Sequence, residues 1–320
     1  MQVVAYTFQA AALPFPVFVL ATFINGAGLA IQDAQANRYM ASLADSGVTK
    51  MGFVQAAYGA GALVVPLVFS TQFAQLRHLS FHYIVSLGVT MSNTVFLGAV
   101  FPTCEPLFTE CLAQIGQETV EKGESEACKF RQIISIKAVH LLALFLFVYV
   151  GVEVTIGGWI VSFMIVVRGG GPSAGYISAD FYGGLTLGRI LLLPVNKKMG
   201  ERRVVYIYER KLMAKIRLEL VIWLVPSLIG GAASVSFVGV FGPMYPIVMN
   251  HAGRVFPRWL LTGSIGWTAG IVTGGAAIVP CVTGAVASKT GIKSLEPVVV
   301  AMTAAMLVLW TVVPGKGIWK

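Results

Sequence analysis

Long stretches without a charged residue alternate with short polar segments along the whole chain. A helix needs about 20 apolar residues to cross the hydrocarbon core of a bilayer, so each such stretch predicts a membrane-spanning helix. The stretches are continuous runs of Leu, Val, Ala and Gly, without the period of two that is typical of membrane β-barrel strands. Those free of Asp, Glu, Lys and Arg are 1–32, 51–76, 79–104, 220–250, 259–288 and 297–315.

Together with two segments that carry a few charges, this pattern predicts an all-α integral membrane protein with about nine transmembrane helices. The stretch 220–250 is long enough for two short helices, and Pro226 and Gly230-Gly231 favour a break near its middle. The predicted spans are 14–40, 51–73, 80–102, 136–165, 172–195, 218–231, 232–250, 258–286 and 295–313.

The segment 209–219 is the exception, because its charges point in nearly every direction around a helix. Two interpretations are open. The segment is either a cytosolic extension of the span that follows, or foreign sequence that interrupts a helix beginning at Val204.

The composition agrees with a membrane location. Of the 320 residues, 56% are hydrophobic and only 12% are charged, whereas soluble domains carry roughly 25% charged residues. The net charge of +9 is typical of the loops of membrane proteins, and no basic stripe interleaved with aromatic residues predicts a nucleic-acid partner. No group of His, Cys or carboxylate residues has metal-ligand or catalytic spacing, so we expect no metal, no cofactor and no enzymatic activity.

A long polar connection divides the chain into three predicted spans and six. We therefore expect an incomplete N-terminal transmembrane half at 1–103, a linker at 104–135 and a six-helix C-terminal half at 136–320. Most Lys and Arg residues outside the spans fall on the same side of the membrane as the linker, which predicts that the linker is cytosolic.

Three stretches of the chain resemble a known family. The run Gly184-Leu-Thr-Leu-Gly188-Arg189, followed by Asn196-Lys-Lys-Met-Gly-Glu-Arg-Arg203, resembles the glycine-and-basic loop between the second and third helices of a major facilitator superfamily half. With Gln32-Asp-Ala-Gln-Ala-Asn37 and Gly151-Val-Glu-Val-Thr-Ile-Gly-Gly-Trp159, the chain is similar to the fungal branch related to fucose permeases, of the bypass-of-stop-codon type.

This resemblance covers nearly the whole chain and implies two six-helix bundles around a central cavity. The match begins at the fourth family helix, so it implies an N-terminal truncation. Three departures from the family pattern stand out, and the first is that the missing first helix would remove one wall of the central cavity. The charged insertion at 209–217 falls where the ninth family helix should begin, and Arg38 stands where fucose permeases usually have proline.

The resemblance also implies a motif that locks and releases one conformation. We expect Gly188 to allow close passage at a short cytosolic turn, and Arg189, at a helix end, either to reach water or to pair with a carboxylate. The alternative is that the basic residues serve only to fix the topology. The motif consists of Gly184, Gly188, Arg189, Lys197, Lys198, Arg202 and Arg203.

Ionisable groups inside spans are functional candidates, because hydrocarbon disfavours them. Asp33 lies among polar residues suited to hydroxyl or amide solutes, and it stands where fucose permeases carry an acidic residue used in proton coupling. The alternative is that Asp33 is a structural partner of Arg38. The polar neighbours, predicted to bind substrate, are Gln32, Gln35 and Asn37.

A second group of predicted substrate-binding residues follows the linker. Glu153 is expected at the end of an apolar helix, in a Gly-rich stretch that unwinds around a ligand, and Trp159 offers a flat surface for a sugar or another ring. Trp159 is equally suited to the aromatic belt at the membrane interface. Tyr245 and Asn250 complete the group, with core packing as their alternative role.

The leading functional hypothesis is secondary active transport of a small organic solute, a sugar-like compound or a fungal metabolite, by rocking-bundle alternating access. The expected partners are the solute, the lipid bilayer and protons, with symport as the coupling mode. The expected location is the plasma membrane, crossed several times. The alternatives are a truncated, transport-incompetent or partner-binding remnant and, with less support, a membrane-embedded enzyme.

Overall fold

The computed structural model describes most of the chain as helix. The described residues are 1–42, 47–71, 82–100, 126–171, 174–198, 201–242, 244–245, 248 and 258–312. They form α1 (Gln2–Ala10), α2 (Phe15–Ser42), α3 (Gly47–Thr71), α4 (His82–Val100), α5 (Glu126–Ser135), α6 (Lys137–Arg168), α7 (Gly175–Lys198), α8 (Glu201–Leu224), α9 (Leu228–Phe241), α10 (Arg258–Thr290) and α11 (Leu295–Val312), with a short 3-10 helix at Ile292–Ser294 before α11.

The predicted fold class, an all-α membrane protein, is confirmed. Seven predicted spans correspond to α2, α3, α4, α6, α7, α10 and α11. Among the described residues, five helical segments are long and apolar enough to cross a bilayer: Phe15–Asp33, His82–Val100, Lys137–Arg168, Gly263–Thr290 and Ile292–Thr311. The predicted linker begins outside the described residues, and its last part forms α5.

The two spans predicted at 218–231 and 232–250 have the wrong bounds. The break lies at 225–227 and includes Pro226, so that Gly230 and Gly231 fall inside α9. Proline lacks the N–H that would continue α8, and the Ser227 side chain accepts a hydrogen bond from the Gly230 N–H at 3.1 Å, which caps the first turn of α9.

The charged segment 209–219 continues one helix and does not interrupt it, and its cytosolic location stays a prediction. The segment is the middle and end of one continuous helix, α8, whose 24 residues correspond to a length of about 36 Å. Its inward face carries Leu212, Lys215, Glu219 and Ile222, all buried. The charges are therefore tolerated because α8 buries some of them against neighbouring helices, where Glu219 contacts Thr303 of α11.

The backbone groups into two compact units, 1–45 with 72–128, and 46–71 with 129–320. In the first unit, α1 packs along α2. The Gln9 side chain donates a hydrogen bond to the Thr22 hydroxyl at 3.0 Å, and the Phe18 and Tyr83 rings meet edge to face at 5.8 Å. The domain boundaries expected at 103 and 135 stay a prediction. Helix α3, expected in the N-terminal half, groups with the second unit.

The long helix α6 is the centre of the second unit and packs against α7, α10 and α11. Its apolar residues contribute to both buried clusters of this unit. It ends at Gly169, whose φ of 67° is left-handed, the conformation that glycine adopts most easily at a helix end. Gly275 of α10 lies against the backbone of Phe147, which lets these two helices approach closely.

Helix α7 is held on two sides by contacts with small residues. On one side Gly184 lies against the backbone of Ser236, and Gly239 of α9 lies against the backbone of Phe181. On the other side Gly59 of α3 lies against the Thr186 hydroxyl. Helices in lipid gain little from hydrophobic burial, so such close backbone contacts provide much of their attraction.

We expect Gly239→Ala to destabilise the α7–α9 crossing by about 1–3 kcal/mol. The added Cβ would overlap the Phe181 carbonyl. The matched control is Gly270→Ala in α10, where a Cβ meets open space. Thermal unfolding of both variants in detergent measures the difference, and equal midpoints would contradict the assigned role of Gly239.

Candidate functional site

A buried ion pair joins α6 to α7. The Arg189 guanidinium Nη2 lies 3.5 Å from Oε1 of Glu153, and the two residues are only 5% and 7% exposed. Removing a charge from water is costly unless an opposite charge compensates for it. The two side chains therefore depend on each other, and together they place a strong local dipole among apolar helices.

Three tyrosines surround this pair. The Arg189 guanidinium lies over the Tyr58 ring of α3, 5.5 Å from its centroid, a distance at which cation–π attraction operates. The Tyr182 hydroxyl lies against Gly157 of α6. The Tyr149 hydroxyl faces the Glu153 carboxylate and the backbone of Met244.

The Tyr149 side chain is almost completely buried, with 1% of its surface exposed. Within the part of the chain that the structure describes, its hydroxyl makes no well-formed hydrogen bond. Its position beside the Glu153 carboxylate and the Met244 backbone places a group that can both donate and accept a hydrogen bond next to the ion pair.

Glycines bring the three helices together at this point. Gly59 of α3 lies against Thr186, and a Cβ at Gly59 would come 3.3 Å from the Arg189 guanidinium. The Ser178 hydroxyl donates to the Gly157 carbonyl at 2.8 Å, which fixes α7 on α6. The ion pair and tyrosines thus lie where α3, α6 and α7 meet.

This arrangement suits a small polyhydroxylated solute. Phenolic hydroxyls donate and accept hydrogen bonds, the carboxylate accepts them and the guanidinium donates them. Aromatic rings add apolar contact area beside these polar groups. Among the described residues, no group of three or more His, Cys, Asp or Glu side chains is placed to hold a metal ion.

Comparison with known proteins gives a consistent result. No family model matches the chain. It is 26% identical over 310 residues to "Bypass of stop codon protein 6" of Saccharomyces cerevisiae, an alignment that covers 90% of this chain and 62% of that protein. It is also 26% identical over 298 residues to a "Glucose/galactose transporter" of Brucella abortus, covering 87% of this chain and 67% of that one.

A solved structure decides the fold. A major facilitator superfamily transporter, FucP, in the outward conformation, superimposes with a TM-score of 0.70 at 16% identity, covering 98% of this chain and 82% of that chain. The chain has the major facilitator fold. The similarity to the fucose-permease-like branch that the motifs predicted is confirmed, and the chain spans about two thirds of the length of the two curated relatives.

Two expectations about the site in this major facilitator fold need correction. Glu153 lies inside α6, which is helical throughout 137–168 and does not unwind around it. Arg189 lies well inside α7, not at a helix end. Of its two predicted alternatives, pairing with a carboxylate is the one observed, and Gly188 beside it is buried within the same helix.

Other predicted site residues have packing contacts. The Trp159 indole donates a hydrogen bond to the Pro280 carbonyl at 3.3 Å and its ring lies against Gly284, so it contacts α10. Tyr245 belongs to the buried cluster around α6, α10 and α11. Gly184 lies at the α7–α9 crossing. Asn250 lies outside the described residues.

The polar group around Asp33 belongs to the first unit. The side chains of Gln32, Asp33 and Gln35 are exposed on α2, and the Asn37 side chain lies outside the described part.

Of the basic motif residues, Lys197 and Lys198 end α7 and Arg202 and Arg203 begin α8, so only 199–200 separates the two helices. The side chains of these four basic residues lie outside the part of the chain that the structure describes. The conformational role of the motif stays a prediction.

The tyrosines were not predicted from the sequence. Helical spacing carried a usable signal for two of them, because Tyr149 stands four residues before Glu153 and Tyr182 stands seven before Arg189, on the same helix faces. Tyr58 had no such signal, since its contact with Arg189 depends on how α3 packs against α7.

We expect Arg189→Gln to destabilise the protein by about 3–5 kcal/mol, because it leaves Glu153 charged, buried and unpaired. The double variant Glu153→Gln with Arg189→Gln should recover most of this loss. Thermal unfolding in detergent of the wild type, both single variants and the double variant measures the coupling. Strictly additive losses would show that the two side chains do not depend on each other.

Proposed function

We propose that the chain acts as a secondary active transporter of a small sugar-like solute, working by alternating access in the plasma membrane. The single observation that carries this proposal is the buried Glu153–Arg189 pair with tyrosines against it, inside a major facilitator fold. The name of one relative, a glucose/galactose transporter, supports a sugar-like solute.

The chemistry of the pair supports a site that changes during the cycle. The contact is a single 3.5 Å approach, longer than the roughly 2.7–2.9 Å of a strong charge-assisted hydrogen bond. A solute hydroxyl can therefore compete for both partners, accepting a hydrogen bond from the guanidinium and donating one to the carboxylate. Such a step needs no covalent chemistry, in agreement with the expectation that the chain is not an enzyme.

Proton coupling belongs to the same proposal and involves Asp33. A carboxylate on a membrane helix can take up a proton on one side and release it on the other as the cavity changes sides. Asp33 is exposed on α2 and lies within a polar group that includes Gln32 and Gln35. Proton uptake and release by Asp33, coupled to the alternating-access motion of the two bundles, would make the transporter a proton–solute symporter.

Uptake of radiolabelled hexoses into proteoliposomes containing the purified chain tests the transport proposal. We expect saturable uptake of at least one hexose, and at least a tenfold lower rate in the Glu153→Gln, Arg189→Gln double variant, because the solute loses two charged hydrogen-bond partners. No uptake by the folded wild type would favour the transport-incompetent alternative.

The Asp33→Asn variant tests the coupling. We expect the wild type to take up more hexose when the outside is acidic, and the variant to lose this dependence. Asp180→Asn is the matched control, since Asp180 is likewise an exposed aspartate on a helix but belongs to α7. An unchanged response to pH in Asp33→Asn would exclude Asp33 as the coupling residue.

A further inference from the structure

A second buried polar group lies between α8 and α11, and the transport proposal does not use it. Lys215 and Glu219 of α8 are 3% and 1% exposed, and the Lys215 ammonium lies 3.7 Å from Oε1 of Glu219. The same Oε1 lies 3.0 Å from the Thr303 hydroxyl of α11. The charged segment that breaks the apolar pattern of the sequence supplies the two α8 members.

The hydrogen bonds of an ionised Glu219 are incomplete. The Thr303 hydroxyl is within bonding distance of both Oε1 of Glu219, at 3.0 Å, and the Val299 carbonyl, at 2.9 Å. A hydroxyl has only one proton, so it can donate to only one of them at a time. Oε2 of Glu219 is buried and has no hydrogen-bond partner within the described part of the chain.

A proton on Glu219 would remove the competition for the single proton of the Thr303 hydroxyl. The protonated carboxyl would donate to the Thr303 oxygen, and Thr303 would donate to the Val299 carbonyl. Other threonines in these helices, such as Thr155 and Thr283, donate to the carbonyl four residues earlier in the same way. The positions of Glu219, Thr303 and Val299 in the structure therefore suit a protonated Glu219. In that form the Glu219 O–H and the Thr303 O–H each donate to one acceptor.

Charged side chains of α6, α8 and α11 belong to the polar group around Glu219. Lys215 is on its own helix, and Glu296 of α11 is buried and interacts electrostatically with it and with Arg168 of α6. Arg168 also donates to the carbonyls of Ile222 and Trp223 at 2.7 and 3.0 Å, which caps α8. Helix α9, which also packs on α8, contains no ionisable residue.

We propose that Glu219 is a proton-binding carboxylate, separate from the Glu153–Arg189 pair, that holds its proton against Thr303. The proton comes from water and returns to it, and only an O–H bond forms or breaks. Two cations and two carboxylates make up the group, so the uptake of one proton raises its net charge by one.

Infrared difference spectra of the purified chain in lipid nanodiscs, recorded between mildly alkaline and mildly acidic conditions, test this proposal without a transport assay. We expect acidification to produce a carboxylic C=O band in the wild type. The band should be lost in Glu219→Gln and should shift to higher frequency in Thr303→Val, because the hydrogen bond to Thr303 is gone.

The matched controls are Glu153→Gln and Glu296→Gln, in which the band assigned to Glu219 should persist. The proposal is overturned if the band survives in Glu219→Gln, if the wild type shows no such band, or if Thr303→Val leaves its frequency unchanged. The Thr303 variant is close in shape to the wild type, so it keeps the test valid even if Glu219→Gln does not fold.

Discussion

The structure depends on one requirement, that every charge buried among its apolar helices has a partner within the protein. A bilayer offers no water to compensate an ionised side chain, so each one must find a partner within the protein. Arg189 and Glu153 meet this requirement across the contact between α6 and α7, and the Tyr58 ring extends it to α3. The ion pair can form only when α3, α6 and α7 pack as they do, and this packing in turn requires that the two charges meet.

The same constraint explains α8. Its sequence is too charged for a helix surrounded by lipid, yet the helix continues unbroken because Lys215 and Glu219 face inward and meet Thr303. Arg168 occupies two of the last carbonyls of α8, which would otherwise lack partners. The part of the chain that the structure describes thus holds two buried ion pairs, one among tyrosines where α3, α6 and α7 meet and another on the face of α8 that contacts Thr303 of α11.

The sequence predicted the helical class and most spans well, because the absence of charge over some 20 residues is a local signal with a direct physical cause. Glu153 and Arg189 were also recognisable, since ionisable residues inside apolar runs are rare. Their pairing was not predictable from one sequence, because it depends on the rotation of α6 against α7. The course of α8 was missed for a similar reason: a charged helix is stable here only through residues such as Thr303, which are distant in the chain.

Solute binding by the central site is measured most directly by isothermal titration calorimetry of the purified chain in lipid nanodiscs with glucose, galactose and fucose. Saturable heat is expected for at least one of these sugars with the wild type, and affinity at least tenfold weaker, about 1.4 kcal/mol, with the folded Glu153→Gln, Arg189→Gln variant. Equal affinity of wild type and variant would contradict a solute site built on this ion pair.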